Sequence, residues 1–419
     1  MKFCVVAYKF GTEKEIGEHL GTYHYFIEIL RRLVKAGDEV TVIAPYLTLT
    51  TKGNTGFDGI KIIRYWPPLV NKIWLFPLNR IIRYLYIKQT QRVVLAQKDT
   101  DAIIVWQARE TGYALCKIKE KLKPPVLFRQ ITTWKWHFQR SDDEIFSGKA
   151  IYNIIKALGL KNFFGIFTDR KNQQRFAKEI YAKADKVIFV SNTAAGEGIE
   201  MGLDKIKSEI IPVAIETEIF RPLNKKQELK NQLKIKAGKV LLFIGRINFA
   251  EKGIGVLLQA MPKVIAKIPD AKLVIIGAGG EEQKMKRIIS DLNLAEYVLL
   301  AGKQPFTRLP EYLNASDVLI VPSLWMETFG QVTIEGMACG IPVITSDAGA
   351  SPEINVDGKT GFVTPANNHE KLSESVIRIL EDEVLQKNLG QQARERVIQN
   401  YSYDAVYKKL INIINNVRN

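Results

Sequence analysis

Short apolar, β-branched runs alternate along the chain with longer segments whose apolar residues recur at helical spacing. FCVVAY (3–8) predicts a buried strand, the run from His24 to Ala36 an amphipathic helix, and EVTVIA (39–44) the next strand. AIIVW (102–106), PVLFRQI (125–131) and KVIFVS (186–191) continue this series. A second series follows in VLLFIG (240–245), AKLVIIG (271–277), YVLLAG (297–302), VLIVPS (318–323) and IPVITS (341–346), with helix-length segments between them. Unbroken apolar strands separated by helices mean parallel sheets covered on both faces. Two such series predict an α/β chain of two doubly wound domains. Ligands are then expected beyond the carboxyl ends of the strands, in a cleft between the domains.

The stretch IIPVAIETEIFRP (210–222) brings two prolines and leads into a Lys/Gln/Glu-rich helix. It sets the predicted division: 1–205 as the first domain, 206–395 as the second, and 396–419 as a C-terminal segment returning to the first. The last helix is expected from about Tyr401, after a break at QNYSYD (399–404).

Composition narrows the class. With 419 residues, 46% of them hydrophobic and 25% charged, the chain has material for two cores and is neither disordered nor collagen-like. Three scattered cysteines, none in a C-x-x-C pair, argue against a disulfide framework or a structural zinc site and fit the cytoplasm. The apolar start is too short for a signal-peptide core, and no stretch reaches the length of a membrane span.

Charge changes the picture more. The chain carries 60 Lys+Arg and 44 Asp+Glu, a formal +16. Residues 1–190 hold 32 and 17 of these (+15), which leaves 60 − 32 = 28 against 44 − 17 = 27 (+1) for the rest. A field this one-sided favours an anionic partner. KIIRYWPPLVNKIWLFPLNRIIRYLYIKQTQR (61–92) mixes seven Lys/Arg with aromatic and aliphatic residues and has no acid. It fits the interfacial zone of an anionic bilayer, a base-stacking groove for nucleic acid, or simply packed aromatics beneath solvated charges. Its richness in Ile and Leu, and the lack of a recognisable nucleic-acid module, favour the membrane over nucleic acid. GKAIYNIIKALGLKNFFGIF (148–167) is a second candidate surface, for acceptor or lipid.

Candidate chemistry concentrates in the second half. In PSLWMETFGQVTIEGMACGIPVI (322–344) a strand ends, a loop carries Glu327 and Gly330, and a helix begins near Gln331. Glu335 falls inside that helix among Val332, Ile334, Met337, Ala338 and Cys339, where a carboxylate is costly unless hydrogen-bonded. Either it is an ordinary solvated helix residue, or it accepts hydrogen bonds from vicinal hydroxyls while the amides of Phe329, Gly330, Gln331 and Val332 at the helix start bind an anion. In LLFIGRINFAEKGIGVLLQA (241–260), Arg246 follows a strand and Lys252 precedes Gly253 and a helix. Alone, such cations are usually surface charges. Beside a helix N-terminus they can neutralise a leaving diphosphate without a metal ion.

These motifs resemble those of the retaining, nucleotide-sugar-dependent glycosyltransferases of family 4, which have the GT-B fold of two Rossmann-like domains. The family's Glu, seven residues, Glu signature is matched by Glu327 and Glu335, its F-G by Phe329-Gly330, and its GR and KG pairs by Gly245-Arg246 and Lys252-Gly253. The resemblance implies that Arg246 and Lys252 hold the donor diphosphate, Glu335 the ribose, and Glu327 the hydroxyls of the transferred sugar. Arg246, Lys252 and Glu327 are thus the implied catalytic residues. The loop Glu327, Thr328, Phe329, Gly330, Gln331 and Val332 completes the donor site, Gly302 and Lys303 of AGKQP lie where the family places the nucleobase, and Gly21 matches the glycine-bearing loop of the first domain. The chain departs from the family at Leu20, where the paired glycine is expected, at Val213-Ala214 in place of Asn-Gly, and at Thr132 and Thr133, where a histidine is usual and His137 comes only later.

Two other patterns are weaker. GAGG (277–280) has Glu282 where a dinucleotide fingerprint needs glycine, so it reads as a plain strand-helix turn. Asp99-Thr100-Asp101 has metal-binding D-x-D spacing but precedes a strand and reads as a solvated loop.

The expected activity is hexosyl transfer with retention, needing neither metal nor cofactor. It moves sugar from a UDP- or GDP-linked donor to a glycan or glycolipid in polysaccharide or lipopolysaccharide biosynthesis, at the cytoplasmic membrane face. A sugar-nucleotide epimerase, a phosphorylase or a catalytically silent basic binding protein are the alternatives.

Overall fold

The computed structural model describes residues 1–16, 21–68, 78–106, 109–134, 157 and 170–418. The chain divides into two compact units, residues 1–211 with 407–419, and residues 212–406.

The first unit is built on a sheet of eight strands: β1 (Lys2–Ala7), β2 (Glu39–Pro45), β3 (Gly56–Phe57), β4 (Ile60–Tyr65), β5 (Ala102–Trp106), β6 (Val126–Gln130), β7 (Lys186–Phe189) and β8 (Ser208–Ile210). Their order is β3-β4-β2-β1-β5-β6-β7-β8, parallel throughout except for the β3/β4 hairpin at one edge. Central β1 buries every residue from Phe3 to Ala7, as a strand covered on both faces must. The helix Gly21–Lys35 turns Phe26, Ile29, Leu30 and Leu33 inward at i, i+3, i+4 spacing. Phe26 stacks on Trp106 with centroids 3.9 Å apart.

The basic, aromatic stretch divides. Its first residues form β4, whose Lys61 is exposed while Ile60, Ile62 and Tyr65 are buried. Its last part is the helix Asn79–Leu95, which buries Ile82, Tyr86, Thr90 and Val94 at four-residue spacing. Tyr65 bonds Thr90 Oγ1 at 2.7 Å and Tyr86 bonds Thr111 Oγ1 at 2.8 Å. These two tyrosines are therefore core and cannot reach a membrane, because a buried phenol needs its partner inside the fold. Trp74, Phe76 and most of the segment 148–167 lie outside the described residues.

Residues 396–400 continue the helix Glu383–Asn400, and the last helix runs Tyr403–Arg418. Arg418 pairs with Asp101 Oδ1 at 2.7 Å, while Asp101 Oδ2 accepts from the Lys2 amide at 2.7 Å. The D-x-D carboxylate of Asp101 is thus used in structural contacts.

The second unit has a six-stranded, wholly parallel sheet: β9 (Lys239–Ile244), β10 (Ala271–Ile276), β11 (Val298–Gly302), β12 (Val318–Val321), β13 (Val343–Ser346) and β14 (Gly361–Thr364). The order β11-β10-β9-β12-β13-β14 runs outward one way from β9 and then the other way from β12. Leu241, Phe243, Val318, Ile320 and Ile344 of the sheet pack with Leu257, Leu258, Met261 and Val264 of the helix Ile254–Lys267 in one core. Because winding reverses between β9 and β12, the loops after these two strands meet at the crevice where an open α/β sheet binds ligands. Those loops carry both candidate motifs.

Candidate functional site

After β9 the chain passes Gly245 and Arg246 to Asn248, whose Oδ1 accepts from the Glu251 amide at 2.8 Å and caps the short helix Phe249–Lys252. Gly253 follows with φ +65, and a Cβ there would overlap the carbonyl of Pro322 beyond β12. Only glycine combines that left-handed turn with so close a backbone approach. The Leu324 amide then donates to the Glu251 carbonyl at 2.9 Å, joining the two loops.

This seam brings the charges together. Lys252 Nζ forms a short ion pair with Glu327 Oε1, and Ser323 Oγ donates to the same oxygen at 2.9 Å. Arg246 Nη2 donates to Glu251 Oε2 at 2.7 Å. Two cations and two carboxylates thus stand at the carboxyl ends of β9 and β12. Glu327 is also fixed through its backbone: its carbonyl accepts from the Ala350 amide at 2.8 Å, and Gly349, at φ +63, lies too close to the Glu327 peptide to carry a side chain.

Gly330, with φ +87, begins the helix Gln331–Ala338, and no side chain caps it. Thr333 N donates back to the Gly330 carbonyl at 3.1 Å. Thr328 continues the loop, and Val332 lies in the first turn. Phe329 packs edge-on against Tyr401, with centroids 5.7 Å apart, so its ring belongs to the core.

Glu335, one turn into that helix, is 3% exposed, and its Oε2 has no hydrogen-bond partner among the described residues. Burial pushes its pKa up to about 8, against a smaller opposing pull from the Gln331 side chain. The solvated-helix alternative for Glu335 is therefore wrong. A buried carboxylate oxygen with no protein donor can accept ligand hydroxyls.

Gly302 ends the edge strand β11 and Lys303 follows it, both exposed, and Gly277 N donates to the Gly302 carbonyl at 3.0 Å. They share the carboxyl edge with Arg246 but stand two strands from it. In the GAGG turn the Gly279 amide is taken by Glu282 Oε1 at 3.1 Å, so the chain's own carboxylate occupies the position a pyrophosphate would need. Gly21 starts the helix Gly21–Lys35 in the other compact unit, and the preceding 17–20 lie outside the described residues, as does His137. Sequence reasoning passed over Ser323, Glu251 and Gly349. A serine closing an apolar strand and a glycine just after another were the available signals.

The model of Glycosyltransferase Family 4 matches residues 21–219, and that of Glycosyl transferases group 1 matches residues 224–396. The chain belongs to the family 4 glycosyltransferases. Among curated members, a phosphatidyl-myo-inositol mannosyltransferase of Mycolicibacterium smegmatis is 32% identical over 180 residues, 43% of this chain and 46% of that one. The N-acetyl-alpha-D-glucosaminyl L-malate synthase of Bacillus anthracis is 28% identical over 54% of this chain and 58% of its own length. These matches thus span about half the length of the relatives. The GT-B fold of the family is shared with solved structures along the whole chain. A sucrose-phosphate synthase from Thermosynechococcus elongatus has a TM-score of 0.75 at 21% identity, over 100% of this chain and 99% of that one. Anabaena HepE, solved in complex with UDP, has a TM-score of 0.71 at 16% identity, over 99% and 100%.

Proposed function

We propose that the chain transfers a hexose from a nucleotide diphosphate sugar to a glycan or glycolipid, with retention of configuration and without a metal ion. The observation that carries this reading is the bare, buried Oε2 of Glu335 on the helix that starts beside the paired cations Arg246 and Lys252. Glu335 accepts from the ribose hydroxyls. The diphosphate lies against Arg246, Lys252 and the amides at Gly330, where fixed positive charge stabilises the departing phosphate as the anomeric carbon gains oxocarbenium character. Glu327 orients the transferred sugar through its hydroxyls. The acceptor hydroxyl attacks from the side on which the diphosphate leaves, so no enzyme nucleophile is assigned. Gly302 and Lys303 border the base.

The mannosyltransferase relatives named for a phosphatidylinositol acceptor support a lipid-linked acceptor. So does the outer face of the helix Asn79–Leu95. Ile81 and Tyr84 are 55% and 60% exposed, Leu78 just before the helix is 50% exposed, and Trp66 after β4 is 46% exposed. Lys88 and Arg92 are exposed farther along the same face. Apolar and amphipathic side chains flanked by cations suit the headgroup zone of an anionic bilayer. No helix among the described residues is long and apolar enough to cross a membrane. The exposed apolar and cationic face of the helix Asn79–Leu95 supports peripheral work at the cytoplasmic membrane face.

The experiment is transfer from a matched UDP- or GDP-sugar to a lipid-linked acceptor in the presence of EDTA, with the new linkage assigned by NMR. Retained configuration at undiminished rate supports the reading. Inversion, or loss of activity restored by a divalent cation, overturns it.

A further inference from the structure

We infer that Ser323 is a positioning residue for transfer: its hydroxyl holds the Glu327 carboxylate in place when Lys252 is drawn onto the donor diphosphate. The inference rests on the donor site proposed above. Glu327 Oε1 takes two donors of different character, Lys252 Nζ and Ser323 Oγ. Lysine is a point charge on a flexible stem, and a diphosphate competes for it directly. Ser323 cannot leave. Its side chain is fully buried, and its own carbonyl accepts from Ser346 Oγ at 2.5 Å, at the buried end of β13. The hydroxyl is thus anchored to the sheet and not to the loop.

The charge balance makes this anchor necessary. Before donor binding, Lys252 neutralises Glu327. Once Lys252 turns toward phosphate, a carboxylate stands beside an incoming anion, and repulsion acts to swing it away. A buried hydroxyl donating to Oε1 opposes that movement, because a hydrogen bond to a charged acceptor is about twice as strong as a neutral one. The Ala350 amide and Gly349 hold the Glu327 backbone meanwhile, so the side chain's remaining freedom is what Ser323 removes.

Ser323→Ala leaves Arg246, Lys252 and Glu335 untouched, so affinity for free UDP or GDP should stay within about twofold. Affinity for the matching sugar nucleotide should fall toward that of the free nucleotide, and kcat should fall about tenfold or more. Ser323→Cys, similar in volume but a weak donor, should behave like the alanine variant, and Ser323→Thr should recover part of the loss. Titration calorimetry of nucleotide and sugar nucleotide against each variant reads the ratio. An equal loss for both ligands, or a wild-type ratio and kcat in the alanine and cysteine variants, overturns the role of Ser323. Wild-type protein that binds none of these ligands overturns the donor site on which the inference stands.

Discussion

Lys252 and Glu327 are 75 residues apart in sequence and form one ion pair across the ends of β9 and β12. Each is more than half buried, and in the donor site proposed above Lys252 is the cation that meets the diphosphate at the sheet's switch point. Lys252→Ala should lower turnover by about 10² or more while donor KM changes less, since charge develops on the leaving phosphate mainly in the transition state. Steady-state kinetics at saturating acceptor checks this, and wild-type turnover would remove Lys252 from the machinery.

Gly253 controls whether that pair can form. Gly253→Ala must accommodate a left-handed residue and a Cβ that overlaps the Pro322 carbonyl. The loops after β9 and β12 should separate, with a loss of about 2 kcal/mol or more in urea unfolding and weaker donor binding. A variant of unchanged stability and affinity would mean the seam is not needed.

Glu335 gives a pH signature. Its folded pKa of about 8 lies above the ordinary carboxylate value, so the native protein holds a proton that the unfolded chain releases. Stability should therefore be greatest below the unfolded pKa near 4.5 and decline as pH rises toward 8, with a limiting slope of about 1.4 kcal/mol per pH unit. Glu335→Gln, which stays neutral, should lack this decline and exceed the wild type in stability at pH 8 without donor. Affinity for a nucleotide sugar should rise over the same window in the wild type, as the ionised carboxylate accepts the ribose hydroxyls, and not in the glutamine variant. Parallel pH profiles for the two proteins would show that Glu335 does not titrate there.

Much of this was legible in the chain. Strands β5, β9, β10, β12 and β13 were visible as apolar runs because both faces of a central parallel strand are covered, and the edge strand β11 showed only through its short YVLLAG run. Strands β3, β8 and β14, of two to four residues at sheet edges, carry too little apolar sequence to stand out. In β4 the exposed Lys61 and half-buried Arg64 alternate with core residues, and the segment was read by its charge. At the site, the Glu327 and Glu335 spacing and the two glycine-adjacent cations were plain in sequence. The Ser323 hydroxyl and the Glu251 carbonyl were not, because each acts through a contact that only the packing of β9 against β12 creates.

The basic first unit makes a separate prediction. Ile81→Ser with Tyr84→Ser should reduce recovery on anionic vesicles in flotation, and Lys88→Glu with Arg92→Glu should reduce it more at low salt than at high salt. Neither pair should change donor affinity. Equal recovery of the wild type on neutral and anionic vesicles would leave the +16 formal charge without a membrane role.

The most direct measurement is a thermal-shift and calorimetric panel of UDP- and GDP-sugars on the wild type, Lys252→Ala and Glu335→Ala. One nucleotide series should stabilise the wild type in proportion to its affinity, with both variants losing most of that shift. Stabilisation by no sugar nucleotide, or an undiminished shift in both variants, would contradict a donor site at Arg246, Lys252, Glu327 and Glu335.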